Sequence, residues 1–344
     1  MLLTRRTPHQ LTFVLILGML GLPGCGGDAP TQPETPIGES RHQMLSAARN
    51  TWTPRAPMPF GDRQGDSWGT APNAAGESIV YRFGGTTEEH QIGLPVEGYN
   101  VATDTWFAGL SSKVSAFDLN GVGKIGSRLY FSGGSNDAGT VSNWTNSLWA
   151  FDYTHDRMIR KADMPIKNGV GVTAVLGGKL YVLPATCSAD YYPRAGDCRS
   201  EPNRRLYRYD PQTHTWVSRR QAPHYHWHGA AGAIRDKLYV VGGKTREFGP
   251  DVAALDVYDP KSNTWRTLAP LPIAGAASGA VMGGQFYVVV VNQNTIRTYA
   301  YNPKSNNWVA KATPDFSGSL LRVSLDGRSV LLMVSEGHTA LYTP

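Results

Sequence analysis

Five times in this chain of 344 residues, a tyrosine or phenylalanine is followed seven residues later by tryptophan, or once by methionine in its place. The five segments are YNVATDTW from Tyr99, FDYTHDRM from Phe151, YDPQTHTW from Tyr209, YDPKSNTW from Tyr258 and YNPKSNNW from Tyr301. A period of about fifty residues is typical of stacked copies of one supersecondary unit, none of which buries its apolar face alone. The repeat therefore predicts the architecture, whereas function must be sought in the residues that do not repeat.

Each repeat also carries a short run of the type Leu-Tyr-Val, preceded by a stretch of small residues. The runs centre on Tyr81, Tyr130, Tyr181, Tyr239, Tyr287 and, without the aromatic ring, Leu332. β-Branched and aromatic residues bounded by glycine and proline indicate short strands. Each unit is thus predicted to contain four strands, and four-stranded units repeated about an axis form a β-propeller. Six runs predict an all-β, six-bladed propeller.

The two ends of the repeat region complement each other. The sequence stops at Leu341-Tyr342-Thr343-Pro344, partway through the tyrosine-to-tryptophan segment, and the missing half is found at Asn50-Thr51-Trp52. We therefore expect the N-terminal strand around Trp52 to complete the sixth blade. Closing the ring in this way removes an exposed sheet edge.

The di-glycine, the tyrosine and the tryptophan seven residues further on resemble the Kelch repeat family, over nearly all of residues 49–344. The resemblance implies a six-bladed Kelch-type β-propeller whose tyrosines and tryptophans pack between blades. The sequence departs from the family pattern at the di-glycine of three units and at one tryptophan. These departures are Pro184-Ala185, Val290-Val291, Ser335-Glu336 and Met158.

The first 48 residues have a different composition from the repeats. Arg5 and Arg6 precede an apolar run from Leu11 to Leu22, which is too short for a permanent membrane span and predicts a secretion signal over residues 1–24. Ending the signal at Cys25 after Leu-Pro-Gly resembles the lipobox of bacterial lipoproteins, which implies lipidation of Cys25 and a place in the bacterial cell envelope. Gly26 in this family favours the outer membrane, facing the periplasm or the cell surface. An ordinary secreted protein is the alternative.

Residues 25–48 are rich in Gly, Pro and polar residues, which predicts a flexible tether. The formal net charge is +6, and basic residues alternate with acidic ones instead of forming a stripe. We therefore expect no nucleic-acid partner. In an exported chain, the pair Cys187 and Cys198 predicts a disulfide, with a metal pair as the alternative.

A binding site is expected where the sequence stops repeating. In a four-stranded blade, the loop joining strands two and three lies on the same face as the connection between blades, and such loops usually carry function. Unit three has the longest such loop, since Tyr181 and Tyr209 are 28 residues apart against 14 to 21 elsewhere. That loop, the connection PHYHWHG and the second loop of unit four supply the candidate binding residues. These are Tyr191, Tyr192, Arg194, His224, His226, Trp227, His228 and Lys244.

Two chemical alternatives arise for this face. His224, His226 and His228 alternate, so in an extended strand they would share one side and could bind Zn or Cu. The other interpretation is a polar rim without metal, which we favour because no fourth ligand is evident. No cofactor is predicted. Arg246 and Glu247 could bind an anion and act as a general acid/base, or they are solvated loop residues.

Two functional classes follow. The first is a cell-envelope binding module that holds a protein or a glycan through its loop face, since Kelch propellers are often interaction platforms. The alternative is a periplasmic carbohydrate-active enzyme resembling an N-acetylneuraminate epimerase (mutarotase), with Glu247 and Arg246 as catalytic residues. The second resemblance is at the level of the fold, which is weak evidence for chemistry.

Overall fold

Each of the six repeats folds into a four-stranded antiparallel sheet in the computed structural model of the chain. The structure describes residues 49–136, 144–167, 169–185, 204–246, 249–335 and 337–344. These sheets are the blades of an all-β, six-bladed propeller, and the predicted fold class is confirmed. Within the described part of the chain, no helix is long and apolar enough to cross a lipid bilayer.

The strands are short, as glycine-bounded apolar runs predict. In the first half of the chain they are β1 (Thr51–Pro54), β2 (Gln64–Pro72), β3 (Ser78–Thr86), β4 (Leu94–Pro95), β5 (Glu97–Asn100), β6 (Thr105–Phe107), β7 (Lys113–Val114), β8 (Val122–Ile125), β9 (Arg128–Ser132), β10 (Leu148–Asp152), β11 (Arg157–Arg160), β12 (Val172–Leu176) and β13 (Lys179–Leu183). In the second half they are β14 (Arg205–Asp210), β15 (Thr215–Gln221), β16 (Ala230–Ile234), β17 (Lys237–Val241), β18 (Leu255–Asp259), β19 (Thr264–Leu268), β20 (Ala276–Met282), β21 (Gln285–Asn292), β22 (Thr295–Asn302), β23 (Asn307–Lys311), β24 (Ser319–Leu325), β25 (Arg328–Ser335) and β26 (His338–Thr343).

Five blades use four strands in simple chain order, from the central channel outwards. Blade 1 is β2-β3-β5-β6, blade 2 is β8-β9-β10-β11, blade 3 is β12-β13-β14-β15, blade 4 is β16-β17-β18-β19 and blade 5 is β20-β21-β22-β23. The small-residue run of each repeat forms the inner strand, because strands that converge on the channel leave little room for side chains. The short strands β4 and β7 pair with each other outside the blades.

Blade 6 is completed by the N-terminal strand, as the sequence predicts. Its order is β24-β25-β26-β1, and β1 pairs antiparallel with β26 so that Trp52 lies opposite Tyr342. Asn50, in the left-handed region with φ of 61°, accepts hydrogen bonds from Tyr342 Oη at 2.8 Å and from Ala312 N at 2.9 Å. The two ends of the repeat region therefore close the ring through backbone pairing, ring packing and side-chain hydrogen bonds together.

The core lies between blades and is built from the repeated aromatic residues. The tyrosine of each second strand packs against the tyrosine or phenylalanine of the third strand in the following blade, with centroid distances of 5.4 to 6.2 Å. The pairs are Tyr81–Phe151, Tyr130–Tyr209, Tyr181–Tyr258, Tyr239–Tyr301 and Tyr287–Tyr342. Each blade supplies one ring to its interface with the preceding blade and one to its interface with the following blade. The aromatic residues therefore recur once in every repeat along the chain.

The tryptophan of each complete segment joins its own blade to the one before. Its ring packs on the tyrosine of the same blade at 4.9 to 5.2 Å between centroids. Its indole Nε1 donates a hydrogen bond of 2.7 to 2.9 Å to a carbonyl at or just beyond the end of the outer strand of the preceding blade. Blade 2 has Met158 opposite Phe151 and cannot make this bond, but Asp156 accepts from the backbone N–H groups of Ser111 and Ser112.

Candidate functional site

A cavity of about 450 Å³ opens where the inner strands begin, on the face that carries the connections between blades. We call this cavity and its rim the channel mouth. Its polar lining includes Asp66, Asp118, Asn120, Thr173, His228 and Ser278. Most other lining residues are small, and the volume lies within the range of about 300–1,000 Å³ that is usual for ligand pockets.

The connection from blade 3 to blade 4 meets the second loop of blade 4 at the channel mouth, as the sequence predicts. Trp227 N donates to Lys244 O at 3.0 Å, and Lys244 N donates to Trp227 O at 2.7 Å. Gly243, with φ of 90°, makes this approach possible, because a Cβ at this position would lie 2.5 Å from Trp227 O. The di-glycine of blade 4 therefore holds the candidate residues Trp227 and Lys244 side by side.

His228 lines the channel in a left-handed conformation, with φ of 51°. The His228 ring is exposed to the cavity, but the cavity walls surround it and reduce its access to bulk water. This desolvation, together with the charge of Lys244, lowers the pKa of His228 to about 4. The imidazole is therefore neutral at physiological pH. The indole of Trp227 packs edge-on against it at 4.2 Å between centroids, and the buried Trp227 Nε1 has no hydrogen-bond partner among the described residues.

His224 and His226 are directed away from the channel and converge on Asp256 of β18. His226 and Asp256 are fully buried, and His226 Nε2 lies 3.3 Å from Asp256 Oδ2. His224 Nδ1 lies 3.0 Å from the same oxygen, with 44% of the His224 side chain exposed. Burial raises the pKa of Asp256, but hydrogen bonds from His226 and Thr267 and the charge of His226 outweigh it and lower the pKa below its usual value.

The expectation that the three histidines share one side is therefore wrong. The segment is not an extended strand, because His224 lies in a bend and His228 in a turn with positive φ. Nowhere in the described part of the chain do three or more His, Cys, Asp or Glu side chains form a group that could hold a metal ion. The three imidazoles are split between a buried ion pair and the channel wall.

Blade 1 contributes a buried charged cluster to the opposite side of the channel mouth. Asp66 accepts hydrogen bonds from Arg82 Nε at 2.6 Å and from Trp68 Nε1 at 3.1 Å. Burial raises the pKa of Asp66, an effect that the charge of Arg82 partly offsets. Arg82 also lies 3.4 Å from Glu97, which is paired with Arg63. Asp66 is the member of this cluster that reaches the cavity.

The remaining predicted residues are only partly accounted for. Lys244 Nζ lies 3.7 Å from Asp251 Oδ1, and Arg246 is exposed in the same loop. The other predicted site residues lie outside the described residues. They are Cys25, Cys187, Cys198, Tyr191, Tyr192, Arg194 and Glu247.

Asp66, Asp118, Asn120 and Asp256 were not among the site residues predicted from the sequence. Asp256 could have been found by aligning the units on their tyrosines, because it stands two residues before Tyr258 just as Glu97 stands two residues before Tyr99. For the three channel residues no comparable signal exists, since each lies at a different position of its own unit.

Comparison with known proteins agrees with the fold and the repeat. The model of the Kelch motif matches residues 228–272. Kelch-like protein 38 of Rattus norvegicus is 25% identical over 198 residues, which cover 57% of this chain and 31% of that protein. Kelch-like protein 23 of Homo sapiens is 25% identical over 240 residues, covering 70% of this chain and 39% of that protein. The chain thus spans about a third of the length of these relatives.

A solved structure, that of the protein YjhT, is similar with a TM-score of 0.58 and 15% sequence identity, covering 84% of this chain and 99% of that one. This likeness shows the fold. The matched motif shows a Kelch repeat at residues 228–272, and the repeated tyrosines and tryptophans and the six closed blades are consistent with a Kelch-type propeller.

Proposed function

We propose that this protein is a lipid-anchored binding module of the bacterial cell envelope, which holds a protein or glycan partner at the channel mouth. The observation that carries the proposal is the open cavity of about 450 Å³, with His228 on one side and Asp66 on the other, and with Trp227 packed against His228. A Kelch propeller suits this role, because rigid blades position loops that can vary without disturbing the core.

The chemistry of the channel mouth favours a neutral, hydroxyl-rich ligand. Asp66, Asp118 and Asn120 place carboxylate and amide groups around the cavity, and the neutral imidazole of His228 supplies both a donor and an acceptor. Among the described residues that line the cavity, none is lysine or arginine. A sugar hydroxyl or an uncharged polar side chain of a partner therefore fits this wall better than an anion does.

Binding of the purified propeller to a glycan array, and to proteins pulled down from an envelope extract, tests the proposal. Trp227→Ala and His228→Ala should each weaken capture at least tenfold, a loss of about 1.4 kcal/mol in binding. His155→Ala is the matched control, because His155 has a side chain that is 74% exposed in the turn between β10 and β11, at the other end of its blade. Binding that survives both channel-mouth variants contradicts the proposed site.

The envelope location rests on Cys25 and the apolar run before it, and it has its own experiment. Mass spectrometry of the protein from membrane fractions should show a lipid-modified cysteine as the first residue of the mature chain. Cys25→Ser should release the protein into the soluble fraction. An unmodified N-terminus in the wild type contradicts the lipoprotein proposal, and leaves the channel-mouth proposal to its own test.

The mutarotase alternative depends on Arg246 and Glu247. Exchange between sialic-acid anomers, followed by NMR, should be accelerated by the wild type and not by Glu247→Gln if the chain is such an enzyme. The lining of the channel mouth disfavours this alternative, because the carboxylate of a sialic acid would face Asp66 and Asp118. Absence of acceleration by the wild type removes it.

A further inference from the structure

Blades 1 and 4 contain buried ion pairs at equivalent positions, with an arginine as the cation in blade 1 and a histidine in blade 4. Each has a carboxylate two residues before the repeated tyrosine, Glu97 in blade 1 and Asp256 in blade 4, and both side chains are buried. Each carboxylate contacts a side chain from the connection that enters its blade. In blade 1 that side chain is Arg63, and in blade 4 it is His226.

The equivalence extends to the second contact of each side chain. Arg63 donates from Nη2 to Glu97 and from Nη1 to the carbonyl of Gly84, the first residue of its di-glycine, at 3.4 Å. In blade 4, His226 Nδ1 lies 2.8 Å from the carbonyl of Gly242, which is likewise the first residue of a di-glycine. A histidine thus stands where blade 1 has an arginine, and it bridges the same two acceptors.

The two contacts of His226 determine its protonation in this geometry. A carbonyl oxygen can only accept, so Nδ1 must carry a hydrogen. Nε2 faces Asp256, which already accepts from His224 N at 3.1 Å and from Thr267 Oγ1 at 2.7 Å. A carboxylate that accepts several hydrogen bonds is stabilised in its ionised form. Both ring nitrogens of His226 therefore donate, which makes the ring an imidazolium that matches the guanidinium of Arg63.

Few charged or titratable groups surround this ring. Asp256 faces it from β18, and His224 shares Asp256 from the same connection. The other elements in contact contribute neutral groups, the Gly242 carbonyl at the end of β17 and the Thr267 hydroxyl of β19. Loss of the proton from Nε2 would leave its lone pair facing an oxygen of Asp256 at 3.3 Å, which is repulsive.

We propose that His226 is a positioning residue whose imidazolium form holds Trp227 beside Lys244 at the channel mouth, so that this pairing loosens as the pH rises. Trp227 directly follows the bonded ring and is otherwise joined to the loop by its two backbone bonds to Lys244. His228 is held separately, because its N–H donates to Val170 O at 3.3 Å and its carbonyl accepts from Ala277 N at 2.9 Å. Histidine is the side chain whose charge changes between about pH 5 and 8, whereas arginine keeps its charge. The ion pair at the entry to blade 4 therefore contains a histidine cation that can lose its charge as the pH rises, whereas the cation of the blade 1 pair, Arg63, stays charged. Its effect on ligand capture rests on the proposed function, but the device itself does not.

NMR of the full folded chain without ligand tests the inference. A long-range ¹H–¹⁵N spectrum should show both ring nitrogens of His226 protonated at about pH 6 and one of them deprotonated on titration to higher pH. Amide-exchange protection at Trp227 and Lys244, corrected for the intrinsic rate, should fall roughly tenfold with the same midpoint, as expected for loss of one charged hydrogen bond.

The double variant His226→Arg with Asp256→Glu copies the blade 1 pair and should keep the protection of Trp227 and Lys244 constant across the titration. The amides of β21 in blade 5 are the internal control and should not respond in either protein. A single neutral tautomer of His226 throughout, or protection at Trp227 that does not follow the titration of the ring, overturns the inference. If the double variant does not fold, the wild-type titration alone decides.

Discussion

Removing the indole of Trp52 tests whether the N-terminal strand closes the ring. Trp52 is half-buried on β1, packs against Tyr342 at 5.1 Å between centroids and donates from Nε1 to Ala312 O at 2.8 Å. Its partners lie at the other end of the chain, so every one of these contacts depends on closure. Trp52→Ala deletes them together and leaves the backbone pairing of β1 with β26 in place.

The expected loss follows from the contacts. Truncation of a core aromatic residue to alanine costs about 3–5 kcal/mol, and a half-buried ring belongs at the lower end of that range. The aromatic pair contributes about 0.5–1.5 kcal/mol of this, and the indole hydrogen bond about 1 kcal/mol. Because the Ala312 carbonyl becomes accessible to water once the ring is removed, no further penalty is expected. We predict a decrease of about 3 kcal/mol in the free energy of unfolding.

The matched control is Trp308→Ala in blade 5. Trp308 is also half-buried, packs on Tyr301 at 5.0 Å and donates to Ala269 O at 2.9 Å, but this acceptor is 39 residues away along the chain, against 260 for that of Trp52. Equilibrium unfolding in guanidinium chloride should give the same loss for both variants. If Trp308→Ala costs about 3 kcal/mol and Trp52→Ala less than about 1 kcal/mol, the closure argument is refuted.

Three further predictions concern stability. Hydrogen bonds from Ser111 and Ser112 outweigh the effect of burial and lower the pKa of Asp156, so its contribution is present at neutral pH and is lost as the pH falls through that lowered pKa. Asp156→Ala should cost about 1 kcal/mol near pH 7, while Asp156→Asn should keep the stability and abolish its loss in acid, as urea unfolding at several pH values would show. For His228, whose pKa is lowered to about 4, the unfolded chain binds the proton first, so acid should destabilise the protein between about pH 6.5 and 4, and His228→Asn should flatten that part of the curve. Met158→Trp should restore the missing indole bond of blade 2 and raise the melting temperature, with a gain of about 1 kcal/mol, and a decrease would contradict the equivalence of the blades.

The sequence by itself determined the number of blades and the way in which the N-terminal strand closes the ring. The tyrosines and tryptophans recur at fixed positions because each makes the same contacts in every blade, and Tyr342 and Trp52 were identifiable as the two halves of one segment for that reason. The alternation of strand ends also predicted that the connection into blade 4 and the second loop of that blade share one face, and Trp227 and Lys244 are hydrogen-bonded to each other there.

The tertiary structure alone decided which side chains share a site. Asp66, Asp118 and His228 come from blades 1, 2 and 4 and face one cavity only after the ring has closed, so no spacing along the chain could reveal them. The alternation of the histidines was misleading, because a turn with positive φ at His228 separates it from His226. The repeated residues are those that make the same contacts between blades in every unit. The channel mouth is lined instead by side chains that differ from blade to blade, and they come together only through the arrangement of the six blades around the axis.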